Sequence, residues 1–254
     1  MMRRPIEKPD AAIAAELERL WKKYYPVNEA RLAAVEAAGQ LLSGGELSGP
    51  EIEEGIRAAH KLAGSLGMFG HGRSSTLARE AEELLASPKP DTGRIFEIVR
   101  AIRSEARLAQ SPAEAPASPP TANCPAVVEE VDVAIIDDDE VIAGLLVYAL
   151  NKQGFTTEWI SDGSAALRAF CGDKRTLSAK VIVLDVDLPG MDGMTLLARL
   201  KANEMLADTH VIMLTVRSAE SEVVKALQLG ASDHIAKPFS LRVFLEKIRR
   251  TLER

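Results

Sequence analysis

The stretch "QSPAEAPASPPTANCPAVVEE", Gln110 to Glu130, carries five prolines and shows no apolar periodicity. Proline fixes its own φ and brings no N–H, so neither a helix nor a central strand runs through such a segment. It reads as a semi-extended tether, with a reach of up to roughly 60 Å at about 3.1 Å per residue. One continuous core across the 254 residues is therefore excluded. The chain divides into residues 1–110, the linker 111–130, and residues 131–254, and each long part is large enough to bury a core of its own.

The two parts differ in period. Before the tether every periodic segment reads as helix. Ala11–Tyr25 and Asn28–Leu42 carry apolar residues three and four apart and are separated by Pro26. Further helices are predicted over about Glu51–Phe69, Ser75–Ala86 and Thr92–Ala109, with Pro50 at the start of the first. Five helices with short connections imply an antiparallel bundle. After the tether, "VDVAII", "FTTEWI", "KVIVL", "HVIML" and "SDHIA" are short and β-branched. They alternate with helical spacing over 140–152, 163–171, 193–203, 218–229 and 241–252. Five such alternations predict a doubly wound parallel sheet with its site at the carboxyl ends of the strands. The fold class is thus multidomain: an all-α bundle followed by a (βα)5 unit.

The strand ends of the second part carry the chemistry. The first runs into Asp137-Asp138-Asp139, the third into Asp185, the fourth into Thr215 and the fifth into Lys237-Pro238. Three carboxylates brought within a few Å repel one another, and a hard divalent cation relieves that repulsion. Mg²⁺ beside the acids, the Lys237 ammonium and the Thr215 hydroxyl together suit a phosphoryl group carried on one carboxylate. Asp139 and Asp192 read simply as helix caps.

"VAIIDDDE", "VIVLDVDLPGMDG", "VIMLTVRS" and "HIAKPFS", in that order, resemble the receiver domain of bacterial response regulators over about 131–254. The resemblance implies Asp185 as phosphoacceptor and Asp137 and Asp138 as the metal-binding acid pair. It adds Asp185 and the Asp187 backbone carbonyl to the Mg²⁺ ligands, assigns Thr215 and Lys237 to the phosphoryl group, and implies a cis Lys237-Pro238 peptide. His234 stands where that family has Tyr or Phe. Asp187 and Arg217, each two residues past a site residue, are candidates to pair across the pocket mouth.

In the first part "AAHKLAGSLGMFG" holds the informative histidine. On a helical wheel Ile52, Ile56, Ala59, Leu62, Ala63 and Leu66 form one apolar stripe, and His60 falls about 80° from Ile52, at the stripe's edge. Gly64 and Gly67 flank it, at about 1 kcal/mol each relative to Ala. "HKLAGS" followed by Gly70 in an all-helical segment resembles a histidine phosphotransfer domain over about 10–110. That implies His60 as the phosphorylated histidine. Ala63 takes a position that is often Lys, leaving Lys61 or Arg57 as charge partners, and His71 ranks below His60 as the alternative.

Both resemblances together imply a two-component phosphorelay protein rather than an enzyme with its own turnover. The expected partners are a sensor histidine kinase, other receiver domains, this chain's own second module, or a second receiver copy. Charge agrees: residues 1–110 hold 16 basic and 16 acidic residues, and residues 111–254 hold 15 against 21, the whole net charge of −6. An acidic second half argues against a nucleic-acid surface. No apolar run approaches the roughly 18 residues of a membrane helix. The start "MMRRPIEKPD" has no apolar signal core, and Cys124 and Cys171 lack metal-ligand spacing, which together predict a reduced, cytoplasmic setting. Two other readings stand beside this one. The chain could be the regulatory part of a longer regulator with an output domain such as a nucleotide cyclase. The "DVD" after an apolar strand also resembles the nucleophile motif of haloacid-dehalogenase-type phosphatases.

Overall fold

The structure, a computed structural model, describes residues 11–45, 48–107, 128–172, 175–203, 206, 208–215 and 220–253. The chain divides into two compact units, Met1–Pro120 and Thr121–Arg254. The expected tether lies outside the described residues as far as 127.

The described part of the first unit holds four helices: α1 (Ala11–Ser43), α2 (Pro50–Met68), α3 (Gly72–Leu85) and α4 (Thr92–Arg107). Each packs on the next in chain order, and α4 closes the ring against α1. Two predicted helices are therefore one, with Pro26 inside α1. An interior proline costs about 3 kcal/mol. The buried row before it, Leu20, Trp21 and Tyr24, continues in phase after it through Asn28, Leu32, Val35, Ala38 and Leu42. Each large side chain so buried contributes about 1.5–3 kcal/mol, which outweighs the lost backbone bond. The stripe expected on α2 packs into the same core, with Ile56 half-buried at its margin. Gly55 is what lets α1 and α2 approach: a Cβ there would overlap the Ala38 side chain.

In the second unit β1 (Glu129–Ile136), β2 (Thr157–Ile160), β3 (Leu177–Asp185), β4 (His210–Thr215) and β5 (Asp233–Ala236) form one parallel sheet in the order β2-β1-β3-β4-β5. Between them run α5 (Glu140–Lys152), α6 (Gly163–Cys171), α7 (Gly193–Lys201) and α8 (Glu220–Gln228), and α9 (Leu241–Leu252) follows β5. Parallel strands covered on both faces are apolar without alternation. Accordingly Val133–Ile136 and Val181–Leu184 are wholly buried. Ala134, Ile136, Ile182 and Leu184 pack against α6, α7 and α8, and α5 and α9 contact each other. Asp139, Asp162, Asp192 and Ser240 cap α5, α6, α7 and α9 with their side-chain oxygens. From β1 the chain crosses to β2 on one side and then returns to β3 on the other. That reversal opens a crevice at the carboxyl ends of β1 and β3.

Candidate functional site

Asp137 and Asp138 leave β1 directly over this crevice, and Asp185 is the last residue of β3. One carboxylate oxygen from each of Asp137, Asp138 and Asp185 lies within 4.8 Å of the others. Lys237, just past β5, reaches between them: its Nζ is 2.9 Å from Asp137 Oδ2 and 3.0 Å from Asp185 Oδ1. The Lys237-Pro238 peptide is cis. Thr215 ends β4, one step beyond Leu214, the partner of Asp185 in the ladder. Its carbonyl accepts the Lys237 N–H at 2.6 Å, while its buried hydroxyl has no hydrogen-bond partner among the described residues. The five residues named from strand ends thus meet at one edge of the sheet.

Burial sets the electrostatics. Asp137 is fully buried and Asp185 is 4% exposed. Desolvation, opposed by Lys237 and reinforced by the Asp137 charge, pushes the Asp185 carboxyl up to about 7. Asp137 is raised for the same leading reason. Burial alone would lower the Lys237 ammonium, but Asp137 and Asp185 together hold it above its usual range. Asp185 Oδ1 also accepts the Val186 N–H at 3.0 Å. Among the described residues no hydrogen bond reaches Asp185 Oδ2. Three clustered carboxylates, two with depressed acidity, form an all-oxygen donor set that fits a hard divalent cation such as Mg²⁺. Asp187 is exposed, and its charge adds to the rise at Asp185. Arg217, its expected partner, lies outside the described residues.

Gly193 has a steric role that the motif alone did not reveal. A Cβ on it would overlap the Asp185 carbonyl oxygen, so α7 can begin beneath Asp185 only with glycine there. His234 sits half-exposed on β5, and its carbonyl accepts Lys247 Nζ at 2.9 Å.

In the helical unit His60 stands on α2 with its side chain 26% exposed. Its Nδ1 lies 3.0 Å from Glu82 Oε1 on α3. Sequence reading looked for a basic neighbour and missed this acid. Arg57 turns instead to Glu54, at 2.9 Å. Glu82 is 22 positions away, and only the α2–α3 hairpin brings it to the ring. His71 is placed differently: it precedes α3, and its ring lies 4.5 Å from that of Trp21 in the aromatic end of the core.

A buried cation-type acid pocket at the switch point of a parallel sheet, together with a helical bundle that presents an exposed-edge histidine, defines a pair of signalling modules. The comparisons with known proteins agree, module by module. Residues 133–249 match the response regulator receiver domain and residues 19–111 match the Hpt domain. The chain thus carries an Hpt domain followed by a response regulator receiver domain, the domain pair of two-component phosphorelays. It is 38% identical over 122 residues to the sensory transduction protein RegX3 of Mycobacterium tuberculosis, covering 48% of this chain and 51% of that protein. It is 37% identical over 122 residues to the transcriptional regulatory protein GltR of Pseudomonas aeruginosa, covering 48% and 49%. The Francisella response regulator 1452 receiver domain is a solved structure with TM-score 0.44 and 28% identity, covering 48% of this chain and 97% of that one. The chain spans about half the length of the curated relatives it matches. Among the described residues no helix is long and apolar enough to cross a membrane.

Proposed function

We propose that this protein passes phosphoryl groups between His60 and aspartates, with Asp185 as a Mg²⁺-dependent phosphoacceptor whose modification switches the receiver. The modules are residues 1–110 and 131–254, joined by the tether 111–130. The observation that carries the reading is Asp185 itself: Lys237 and the Val186 N–H hold one carboxylate oxygen and leave the other to attack phosphorus. The Thr215 hydroxyl, without a partner among the described residues, is a ready donor to a phosphoryl oxygen. Asp137, Asp138 and Asp185, with the Asp187 main-chain carbonyl, would hold the cation. Bound Mg²⁺ supplies positive charge to the phosphoryl oxygens.

His60 completes the exchange. In the neutral ring Glu82 fixes the proton on Nδ1, which leaves the lone pair on Nε2 to act as nucleophile. When Nε2 takes a phosphoryl group the ring becomes a cation, and Glu82 compensates its charge. In the reverse step Asp185 Oδ2 or another aspartate attacks phosphorus, the P–N bond breaks as the P–O bond forms, and the imidazole leaves neutral with its Nδ1 proton in place. No separate acid is needed. The phosphoryl donor is a sensor histidine kinase or another receiver domain, and a tether of this length permits exchange within the chain.

The test is to incubate the full chain with Mg²⁺ and either acetyl phosphate or a phosphorylated histidine kinase, then map the label by mass spectrometry and by its stability in acid and base. Asp185→Asn loses the base-labile acyl phosphate and His60→Gln loses the acid-labile phosphohistidine. Glu82→Ala slows labelling of His60 by about tenfold, the worth of one charge-assisted hydrogen bond. Label persisting in either of the first two variants at an unrelated residue would sink the assignment. Label on Asp185 that is indifferent to His60 removes exchange within the chain.

A further inference from the structure

Trp159, on β2, is outside the acid cluster and outside the four motifs that carry the receiver resemblance. Its indole N–H donates to the Asp137 main-chain carbonyl at 2.8 Å. That bond replaces one the sheet does not provide. The β1–β2 ladder runs to Ile136 opposite Ile160, and the Asp137 N–H still reaches the Ile160 carbonyl at 3.2 Å. There β2 ends and Asp162 turns away to cap α6. The Asp137 carbonyl thus passes from strand pairing to a side chain. Asp137 is then held at every polar atom: its Oδ1 accepts the Asp139 N–H at 2.8 Å and its Oδ2 faces Lys237.

We propose that Trp159 is a positioning residue for the cation site: its indole holds the peptide plane between Asp137 and Asp138 and so aims the Asp138 carboxylate. The peptide unit is planar, so fixing the Asp137 carbonyl fixes the Asp138 nitrogen and the direction in which its Cα leaves. Asp138 is the half-buried member of the three acids, beside the buried Asp137 and Asp185. Ring burial alone asks nothing of the indole nitrogen. The hydrogen bond is what ties β2 to the acid pair. This inference rests on reading the acid cluster as a Mg²⁺ site.

Two measurements on the full chain test it. Calorimetric titration with MgCl₂, without any phosphoryl donor, compares wild type with Trp159→Phe, which keeps an aromatic ring and removes the donor. Outer partners of metal ligands typically tune affinity by tenfold or more, so Mg²⁺ binding is expected to weaken roughly tenfold. Equal affinity overturns the proposal, whatever happens to stability. The second measurement needs no variant. The chain holds two tryptophans, Trp21 and Trp159. On Mg²⁺ addition the Trp159 indole N–H resonance is expected to shift along the calorimetric isotherm while that of Trp21 stays; an unmoved Trp159 overturns the proposal even where the variant does not fold. A wild type that binds no Mg²⁺ removes the cation site as well, whereas normal wild-type binding with an indifferent variant removes only the role of Trp159.

Discussion

Lys237 shows how closely stability and chemistry are joined in the receiver. Lys237 is 5% exposed, and its ammonium is the counter-charge for two buried carboxyls. Removing one partner of a buried charge cluster leaves the rest uncompensated and typically costs about 3–5 kcal/mol. Lys237→Met should therefore lower the urea stability of the receiver by about that much in Mg²⁺-free buffer, with partial recovery when Mg²⁺ is added. His71 makes a prediction in the other unit. Burial holds it below its ordinary 6.5, and the nearby Glu105 only partly offsets that. Below that ordinary value the unfolded chain takes up a proton that the folded bundle resists, so folding is disfavoured. The contribution is thus complete above about pH 6.5 and is lost as the pH falls beneath it. Thermal melts of the helical unit should flatten with pH in His71→Phe, which keeps an aromatic ring against Trp21.

Helix α1 is a case of packing overruling local preference. Pro26 would divide the segment on propensity alone, but the buried row through it stays in phase and the bundle holds the helix together. Gly55 is the converse: propensity favours alanine there by about 1 kcal/mol, yet its missing Cβ is where Ala38 of the neighbouring helix sits. Overpacking a tight crossing costs about 1–3 kcal/mol, so Gly55→Ala is expected to destabilise the bundle in urea rather than stabilise it. A rise in the unfolding midpoint would mean that α1 and α2 can part at little cost.

The two units carry separate cores, one of helices around Trp21, Leu62 and Ile95, the other around the sheet. A ligand stabilises only what binds it. At 100 times its dissociation constant Mg²⁺ should raise the unfolding free energy of the receiver by about 2.7 kcal/mol and leave that of the helical unit in place. Calorimetry of the full chain with and without Mg²⁺ checks this through the separate movement of two transitions. In Asp185→Asn the Mg²⁺-dependent movement should shrink sharply, because one of the three clustered carboxylates is gone.

Much of this was readable before any coordinates. Apolar runs ending in acids, a hydroxyl and a lysine place the receiver site, because in a parallel sheet each such residue can only emerge at the same edge. The wheel placed His60 beside a buried stripe, because helical period is local. What was not readable is who meets whom across loops. Glu82 reaches His60 over 22 positions, and Trp159 reaches Asp137 over another 22. Neither pair has a spacing that repeats, so no pattern announces it. The continuity of α1 through Pro26 and the tight seat of Gly55 were hidden for the same reason. Periodicity and turn chemistry act between neighbours along the chain and settle which elements form. The contacts that orient a nucleophile or aim a ligand arise when those elements dock, and there the free energy of burying distant side chains together outweighs what each segment prefers alone.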